Sequence, residues 1–276
     1  CSLSASADNH MRGVILLLLF LAGPASAARA VTVPAPLQRP LDCVRSLLDR
    51  LPRPRDGSWP ATGSTRPPPR GPADIERFVG EATEEEGWAP VVSRDGFQVS
   101  RRNLRGSRHV YVRGQGVFGA PPEAVIGLFE TSDAALIRRY NPLYDSGWDL
   151  ERYDSRTKAA YAKVRAACPG VRPRDTVSLI SRRDVGGGAW GCGGTVFFQE
   201  ATTHPAAPPL RGVVRAKILR GMFLVQPVPG CPRQTRFTFT QQCDAGGVIP
   251  SWLMNRLIVS ESIHFLQRLD RTAQGR

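Results

Sequence analysis

The last stretch of the chain, from about Pro250 to Arg271, constrains the fold more than any other segment. Its apolar residues recur at helical spacing and form one wide stripe. A long helix with such a stripe must bury it against another layer of structure. The segment therefore predicts a C-terminal helix packed on a sheet, with a stripe made of Trp252, Leu253, Leu257, Ile258, Phe265, Leu266 and Leu269.

The segments before this helix predict the sheet. Upstream, helical spacing over Ala73–Glu86 is followed by short strands over Trp88–Ser93, Phe97–Arg101 and Val110–Phe118, and then by helices from Pro121 and over Asp133–Tyr140. Glycine and proline turns separate the later strands, as in antiparallel hairpins. Partial alternation predicts those strands over Trp148–Tyr153, Ala159–Ala166, Asp175–Arg182, Ala189–Glu200, Val213–Leu224 and Arg236–Gln242.

This order of elements predicts an α+β fold. We expect a curved antiparallel sheet of about nine strands, closed by the long C-terminal helix, because a sheet of that size cannot bury its concave face alone. Space left between the helix and the sheet would be apolar and would suit an apolar small molecule.

The residues before the domain have a different composition. Met11-Arg12, the apolar run from Val14 to Ala22 and the Ala25-Ser26-Ala27 cleavage pattern predict a signal peptide from Met11 to Ala27. We expect residues 1–28 to be an upstream extension plus this peptide, with 29–72 a disordered Arg/Pro-rich leader, 73–272 the folded domain and 273–276 a tail. We expect the protein to be located in the secretory pathway or in an organelle, with a cytoplasmic location as the alternative.

The distribution of arginines, cysteines and histidines argues against several functions. The net charge of +13 comes almost entirely from arginine, and no basic stripe interleaved with aromatics marks a nucleic-acid surface. The six cysteines form no CxxC pair and have no histidine at ligand spacing, so we expect no metal site and no cofactor. His109, His204 and His264 lie on separate elements without a catalytic motif, which argues against an enzyme.

Four short motifs occur in the order known from one family. They lie within Asp145–Asp149, Pro173–Val177, Arg211–Ala216 and Asp244–Asn255, and carry W-D, P-R-D, G-x-x-R and a glycine-proline helix entry. Over roughly 73–272 the chain resembles the START domains, the steroidogenic-acute-regulatory-protein-related lipid-transfer family. The resemblance implies a helix-grip fold that binds one lipid. It also implies a lid formed by the last helix and the loop from Cys168 to Arg172, with the lid hinge at Gly246, Gly247 and Pro250.

The resemblance does not select one lipid. Sterol-binding members carry an acidic residue and an arginine where this chain has Tyr161 and Ile180. Phosphatidylcholine-binding members carry cage aromatics and an arginine where it has Lys163, Thr176 and Asp145. The candidate pocket residues are Trp148, Tyr161, Ile180, Phe198, Met222, Leu224, Phe239, Leu253 and Leu257.

The expected function is to bind a single lipid (sterol, phospholipid or related) and to carry it between membranes. The protein would act as a monomer with transient membrane contact. The alternatives are an enzyme of the helix-grip superfamily and a lipid-sensing adaptor without transfer activity. We also expect Arg174 and Asp175 to form an ion pair with each other, and Arg215 to be solvated.

Overall fold

The computed structural model describes residues 72–166, 171–186, 193–247 and 251–276. The predicted signal peptide, the leader up to residue 71 and residues 168–170 of the predicted lid loop lie outside this part of the chain. The helices are α1 (Pro72–Thr83), α2 (Pro122–Glu130), α3 (Ala134–Tyr140) and α4 (Ser251–Ala273).

One large sheet contains all of the described strands. They are β1 (Ala89–Arg94), β2 (Phe97–Asn103), β3 (Val110–Phe118), β4 (Tyr144–Asp154), β5 (Thr157–Val164), β6 (Arg174–Val185), β7 (Gly194–Ala201), β8 (Val214–Arg215), β9 (Lys217–Val228) and β10 (Cys231–Asp244). Their order is β1-β2-β3-β10-β9-β7-β6-β5-β4, with antiparallel neighbours. Only the short β8 pairs in parallel, against β6. The predicted α+β fold with a C-terminal helix is confirmed.

The strand predicted over Val213–Leu224 is in fact two strands. Val214 and Arg215 pair with the start of β6, and the backbone N–H of Ala216 donates to the carbonyl of Asp175 (2.9 Å). The chain then changes partner, because Lys217 begins the long β9, which runs between β7 and β10. The change of partner depends on contacts distant in sequence, so local alternation does not reveal it.

Both faces of the sheet are covered. On the inner face, α2 and α4 bury an aromatic cluster in which the Phe129 ring stacks on Phe223 (4.8 Å between centroids) and on Phe237 (5.8 Å). On the outer face, α1 packs Phe78 and Val79 against β7 and β9, and the segment 202–213 covers β4, β5 and β6. In the described part of the chain, no helix has the length and apolar character that spanning a membrane requires.

Candidate ligand site between the sheet and the last helix

The C-terminal half of α4 is fixed firmly to the domain. Phe265, Leu266 and Leu269 are fully buried on the inner face of the sheet. The Asp270 carboxylate accepts a hydrogen bond from the Gly119 backbone N–H (2.9 Å), and the Arg268 Nε donates to the Tyr140 carbonyl (3.2 Å). These contacts anchor this end of the helix to the α2 and α3 side of the domain.

The N-terminal half of α4 lies over a different part of the inner face. Asn255 bonds to the start of β3, and Ile258 packs between the aromatic cluster and a smaller cluster that contains Ile218 and Cys243. The two clusters are separate groups of buried side chains. We take the inner face between them, beneath the N-terminal half of α4, as the candidate ligand site.

The sheet in this region carries short or polar side chains instead of aromatic rings. Ala160 and Ala162 pair across β5 and β6 with Ser178 and Thr176, and Gln199 lies opposite Ile180 on the next strand. These side chains are buried, and Ala160 and Ala162 border the aromatic cluster with small side chains. We name this the small-residue patch, and it consists of Ala160, Ala162, Thr176, Ser178, Gln199 and Gln241.

The patch contains polar groups that lack full pairing. The Gln199 side-chain amide donates to the Ser178 hydroxyl (3.2 Å). The Thr176 hydroxyl is buried and has no hydrogen-bond partner in the structure. A buried polar group without a partner is costly, and it indicates either strain or a missing ligand.

A buried ion pair borders the patch. Lys158, which is fully buried, places its Nζ 2.6 Å from the Asp149 Oδ1. Lys158 lies opposite Ile180, and Asp149 lies opposite Ala160, so both side chains belong to the inner face. Arg152 also reaches Asp149 at 3.4 Å from a more exposed position. The pair puts two charges at one margin of the patch, and the buried Arg174 lies two residues before Thr176 on β6.

Comparison with known proteins shows which family the chain resembles. Residues 157–275 match the family model described as START domain. The chicken (Gallus gallus) steroidogenic acute regulatory protein, mitochondrial, is 26% identical over 211 residues, which cover 74% of this chain and 72% of the relative. Residues 157–275 of this chain are thus similar to START domains. The mouse (Mus musculus) START domain-containing protein 10 is 23% identical over 202 residues, which cover 72% of this chain and 66% of that protein.

Solved structures of START domains show the same fold as this chain. Human STARD10 superposes with a TM-score of 0.66 at 20% identity, over 75% of this chain and 81% of that one. A fragment of a STAR-related lipid transfer protein from Xanthomonas axonopodis gives a TM-score of 0.56 at 26% identity, over 68% of this chain and 99% of the fragment. The predicted helix-grip architecture is thereby confirmed.

The candidate pocket residues that the sequence of this chain predicts do not all lie together. Ile180 and Phe239 lie on the inner face, in the cluster beneath α4. Leu253 and Leu257 belong to α4, but their side chains lie outside the described part of the structure. Of the predicted lid hinge, Gly246 and Gly247 adopt left-handed backbone angles (φ of 65° and 73°), which glycine allows, and Pro250 lies outside the described residues.

Five other predicted pocket residues face the opposite way, and the structure corrects their orientation. Phe198, Met222 and Leu224 pack against α1 on the outer face. Trp148 and Tyr161 stack on each other (4.4 Å between centroids) beneath the segment 202–213. Successive strand residues point to opposite faces, so an assignment that is wrong by one residue reverses the direction of the side chain.

The comparison positions from the two known lipid classes are likewise divided. Thr176 and Ile180 lie on the inner face, whereas Tyr161 lies on the outer face. Lys163 and Asp145 form an ion pair with each other (3.2 Å), which occupies both charges. The sequence motifs of neither lipid class are reproduced at the inner face.

The charged residues at the start of β6 are also paired differently from the prediction. Asp175 is buried and binds the Arg215 guanidinium through both carboxylate oxygens (2.8 and 3.1 Å). Arg215 additionally donates to the Ala207 carbonyl (3.1 Å). The expected Arg174–Asp175 ion pair and the expected solvated Arg215 are therefore wrong, because β8 brings Arg215 beside Asp175.

Proposed function

We propose that this START domain holds one amphipathic lipid between the small-residue patch and the N-terminal half of α4, and carries it between membranes as a monomer. The observation that carries the proposal is the buried, unpartnered Thr176 hydroxyl on a surface of short side chains beneath the helix. A lipid with an apolar body and one polar group would fill the space and pair with that hydroxyl. The lipid-transfer name of the Xanthomonas axonopodis relative supports the same class of ligand.

His204 is the histidine that the enzyme alternative would use first, and it has another role in the structure. His204 is buried on the outer face, where its Nε2 lies 3.1 Å from the Glu151 Oε2 and its Nδ1 accepts from the Ala206 N–H. This arrangement holds the segment 202–213 against the sheet. His204 lies on the opposite side of the sheet from the small-residue patch, so we propose no reaction that uses this histidine.

The primary experiment is lipid extraction. The full chain is purified, extracted with organic solvent and analysed by mass spectrometry, and uptake from vesicles is measured in parallel. We expect one lipid per protein molecule. Absence of lipid in the purified protein, together with no uptake from vesicles, would refute the proposal. Uptake without movement of lipid from donor to acceptor vesicles would instead favour the adaptor alternative.

A matched pair of substitutions tests the place of the ligand. Ala162→Leu adds volume to the small-residue patch, whereas Ala159→Leu adds the same volume to the packed outer face. If the patch borders open space, Ala162→Leu reduces the bound lipid and leaves the free energy of unfolding within about 1 kcal/mol of wild type. Ala159→Leu should cost about 1–3 kcal/mol by overpacking and keep the lipid. The reverse pattern would place the ligand elsewhere.

A second pair tests whether the lipid's polar group meets Thr176. Thr176→Val keeps the shape and removes an unpaired hydroxyl, so the protein should be as stable as wild type or more stable. Lipid retention should fall about fivefold, because one hydrogen bond of about 1 kcal/mol is lost. Thr240→Val is the control, since the Thr240 hydroxyl already binds Tyr111 (2.9 Å). It should lower stability and leave lipid retention unchanged.

A further inference from the structure

A row of polar residues crosses the middle of the inner face. Gln199 of β7 and Gln241 of β10 both lie opposite Gly221 of β9 in the register of the sheet. The two glutamine side chains point to the inner face, because strand residues alternate and Phe197 and Phe239, two residues away, lie in the aromatic cluster there. We name Gln199, Gly221 and Gln241 the amide row.

The two glutamines of the amide row differ in their hydrogen bonds. Gln199 is 3% exposed, and its amide donates to the Ser178 hydroxyl (3.2 Å). Gln241 is 5% exposed, and none of the residues that the structure describes forms a hydrogen bond with its side-chain amide. A buried amide without a partner costs free energy. Gln241 therefore presents a neutral donor and a neutral acceptor to a molecule that lies over the inner face.

Gly221 keeps the centre of the amide row free of a side chain. Its backbone is not left-handed. A methyl group at this position would lie 3.3 Å from a methyl group of Ile218 and 3.4 Å from the Gln199 carbonyl oxygen, so alanine needs only a small adjustment of its neighbours. Neither the backbone angle nor the packing of the sheet requires glycine here. The missing side chain instead leaves room between the two amides.

Aromatic rings close one side of the amide row. Phe197, Phe223 and Phe239 form the next row of the inner face, and each is at most 1% exposed. Phe239 meets the Phe265 ring of α4 edge-on (5.6 Å between centroids), so the helix and the sheet are in contact there. Cys243 belongs to the smaller cluster and lies about 13 Å beyond Phe239 along β10. Side chains of both clusters take up part of that distance, which leaves a space suited to one ring system or one chain.

The amide row and Thr176 are too far apart to bind the same polar group. Ile180 of β6 lies opposite Gln199, and Thr176 lies about 13 Å before Ile180 on the same strand. Three strand spacings, about 14 Å, separate β6 from β10, which carries Gln241. A single hydroxyl or headgroup at Thr176 therefore does not reach the Gln241 amide.

We propose that Gln241 selects a lipid with a second oxygen group, a neutral hydroxyl or carbonyl, at the end opposite the group that Thr176 binds. This inference rests on the proposed lipid-binding function and adds a specificity to it. The Gln241 amide forms a hydrogen bond with the second group, while the body of the lipid crosses the small-residue patch. The favoured ligand is a compact lipid with oxygen at both ends, and not a phospholipid with two acyl chains.

The experiment measures the affinity of the full chain for three probes by uptake from vesicles. The probes are cholesterol, a cholesterol analogue with a second hydroxyl group at the end of its side chain, and phosphatidylcholine. The analogue should bind about fivefold more tightly than cholesterol, which corresponds to one additional hydrogen bond, and phosphatidylcholine should bind least. Gln241→Met keeps the length of the side chain and removes the amide. It should abolish the preference for the analogue and leave cholesterol binding unchanged, which also shows that the variant is folded.

The matched control makes the same substitution on the outer face. Gln115 lies there beside the end of α1, and its amide donates to the Gln98 side-chain oxygen (3.0 Å). Gln115→Met should keep the preference for the analogue. Gly221→Ala adds a methyl group between the two amides and should weaken the binding of both sterols. Equal affinity for the two sterols, a preference that survives Gln241→Met, or no effect of Gly221→Ala on either sterol would overturn the proposal. So would phosphatidylcholine that binds as tightly as the analogue.

Extraction of lipid from the same samples separates this proposal from the proposed function. Protein that contains a lipid but does not distinguish the two sterols, or takes up neither of them, refutes the second polar contact alone. Protein that contains no lipid and takes up none of the three probes refutes both proposals.

Discussion

The buried ion pair of Lys158 and Asp149 offers a direct test of how the inner face tolerates charge. Lys158→Met keeps most of the aliphatic side chain and removes its charge, which leaves the partly buried Asp149 carboxylate with Arg152 as its cationic neighbour. Removing one partner of a buried pair costs about 3–5 kcal/mol. Because Arg152 still lies 3.4 Å from Asp149, we expect the lower end of that range, about 3 kcal/mol. For a domain of this size, that loss lowers the melting temperature by about 6–12 °C.

Urea unfolding of the single and double variants measures this cost. Asp149→Asn/Lys158→Met removes both charges, and we expect it to recover at least half of the lost free energy of unfolding. The control is Arg156→Met, which breaks an exposed pair with Asp184 (3.6 Å) and should change stability by less than about 1 kcal/mol. Lys158 and Asp149 do not act as a buried ion pair if Lys158→Met lowers the free energy of unfolding no more than Arg156→Met does. The same conclusion follows if the double variant is no more stable than Lys158→Met alone.

Three other substitutions or reactions test particular contacts. Gly114→Ala places a methyl group in steric overlap with the Phe239 ring, so urea unfolding should show a loss of about 1–3 kcal/mol. Burial raises the pKa of Glu261, so its contribution to stability is present below the ordinary carboxyl pKa and falls as the pH rises through the raised one. Melting curves of Glu261→Gln should lack this pH dependence. Burial raises the pKa of Cys243 to about 12, so a thiol reagent followed by mass spectrometry should modify the exposed Cys231 first, and Cys243 only as the lid opens.

The kinds of secondary structure could be predicted from the sequence, because their periodicity is local. The directions of the side chains could not. In β7, Val196, Phe197 and Phe198 are all buried, since the sheet is covered on both faces. A strand that is covered on both faces is apolar at odd and even positions alike. The alternation of apolar and polar residues therefore does not show which side chains point to the inner face. Alternation therefore does not show that Phe198 and Leu224 lie on the outer face of the sheet, against α1.

The ion pair at the inner face was hidden for another reason. Lys158 and Asp149 lie on adjacent strands whose pairing shifts register between Asp149 and Glu151. A bulge of that kind changes which residues share a face and leaves no reliable mark in the sequence. The family motif that contains Asp149 indicated that the residue belongs to a strand, but the identity of its partner depended on the fold of two hairpins.

The unequal attachment of α4 determines how the site can open. Phe265, Leu266 and Leu269 each contribute roughly 1.5–3 kcal/mol of burial, so lifting the whole helix would break the aromatic core. The Asn255 side chain accepts from the Val110 N–H and donates to the Arg108 carbonyl, and these two hydrogen bonds contribute only about 1–2 kcal/mol, since each is worth about 1 kcal/mol or less. Together with the loss of packing at Ile258, release of the first turns costs a few kcal/mol, which corresponds to an open state populated at roughly 0.1–10%. We therefore expect the site to open by a motion of the helix start about Gly246 and Gly247, while the rest of the domain stays folded.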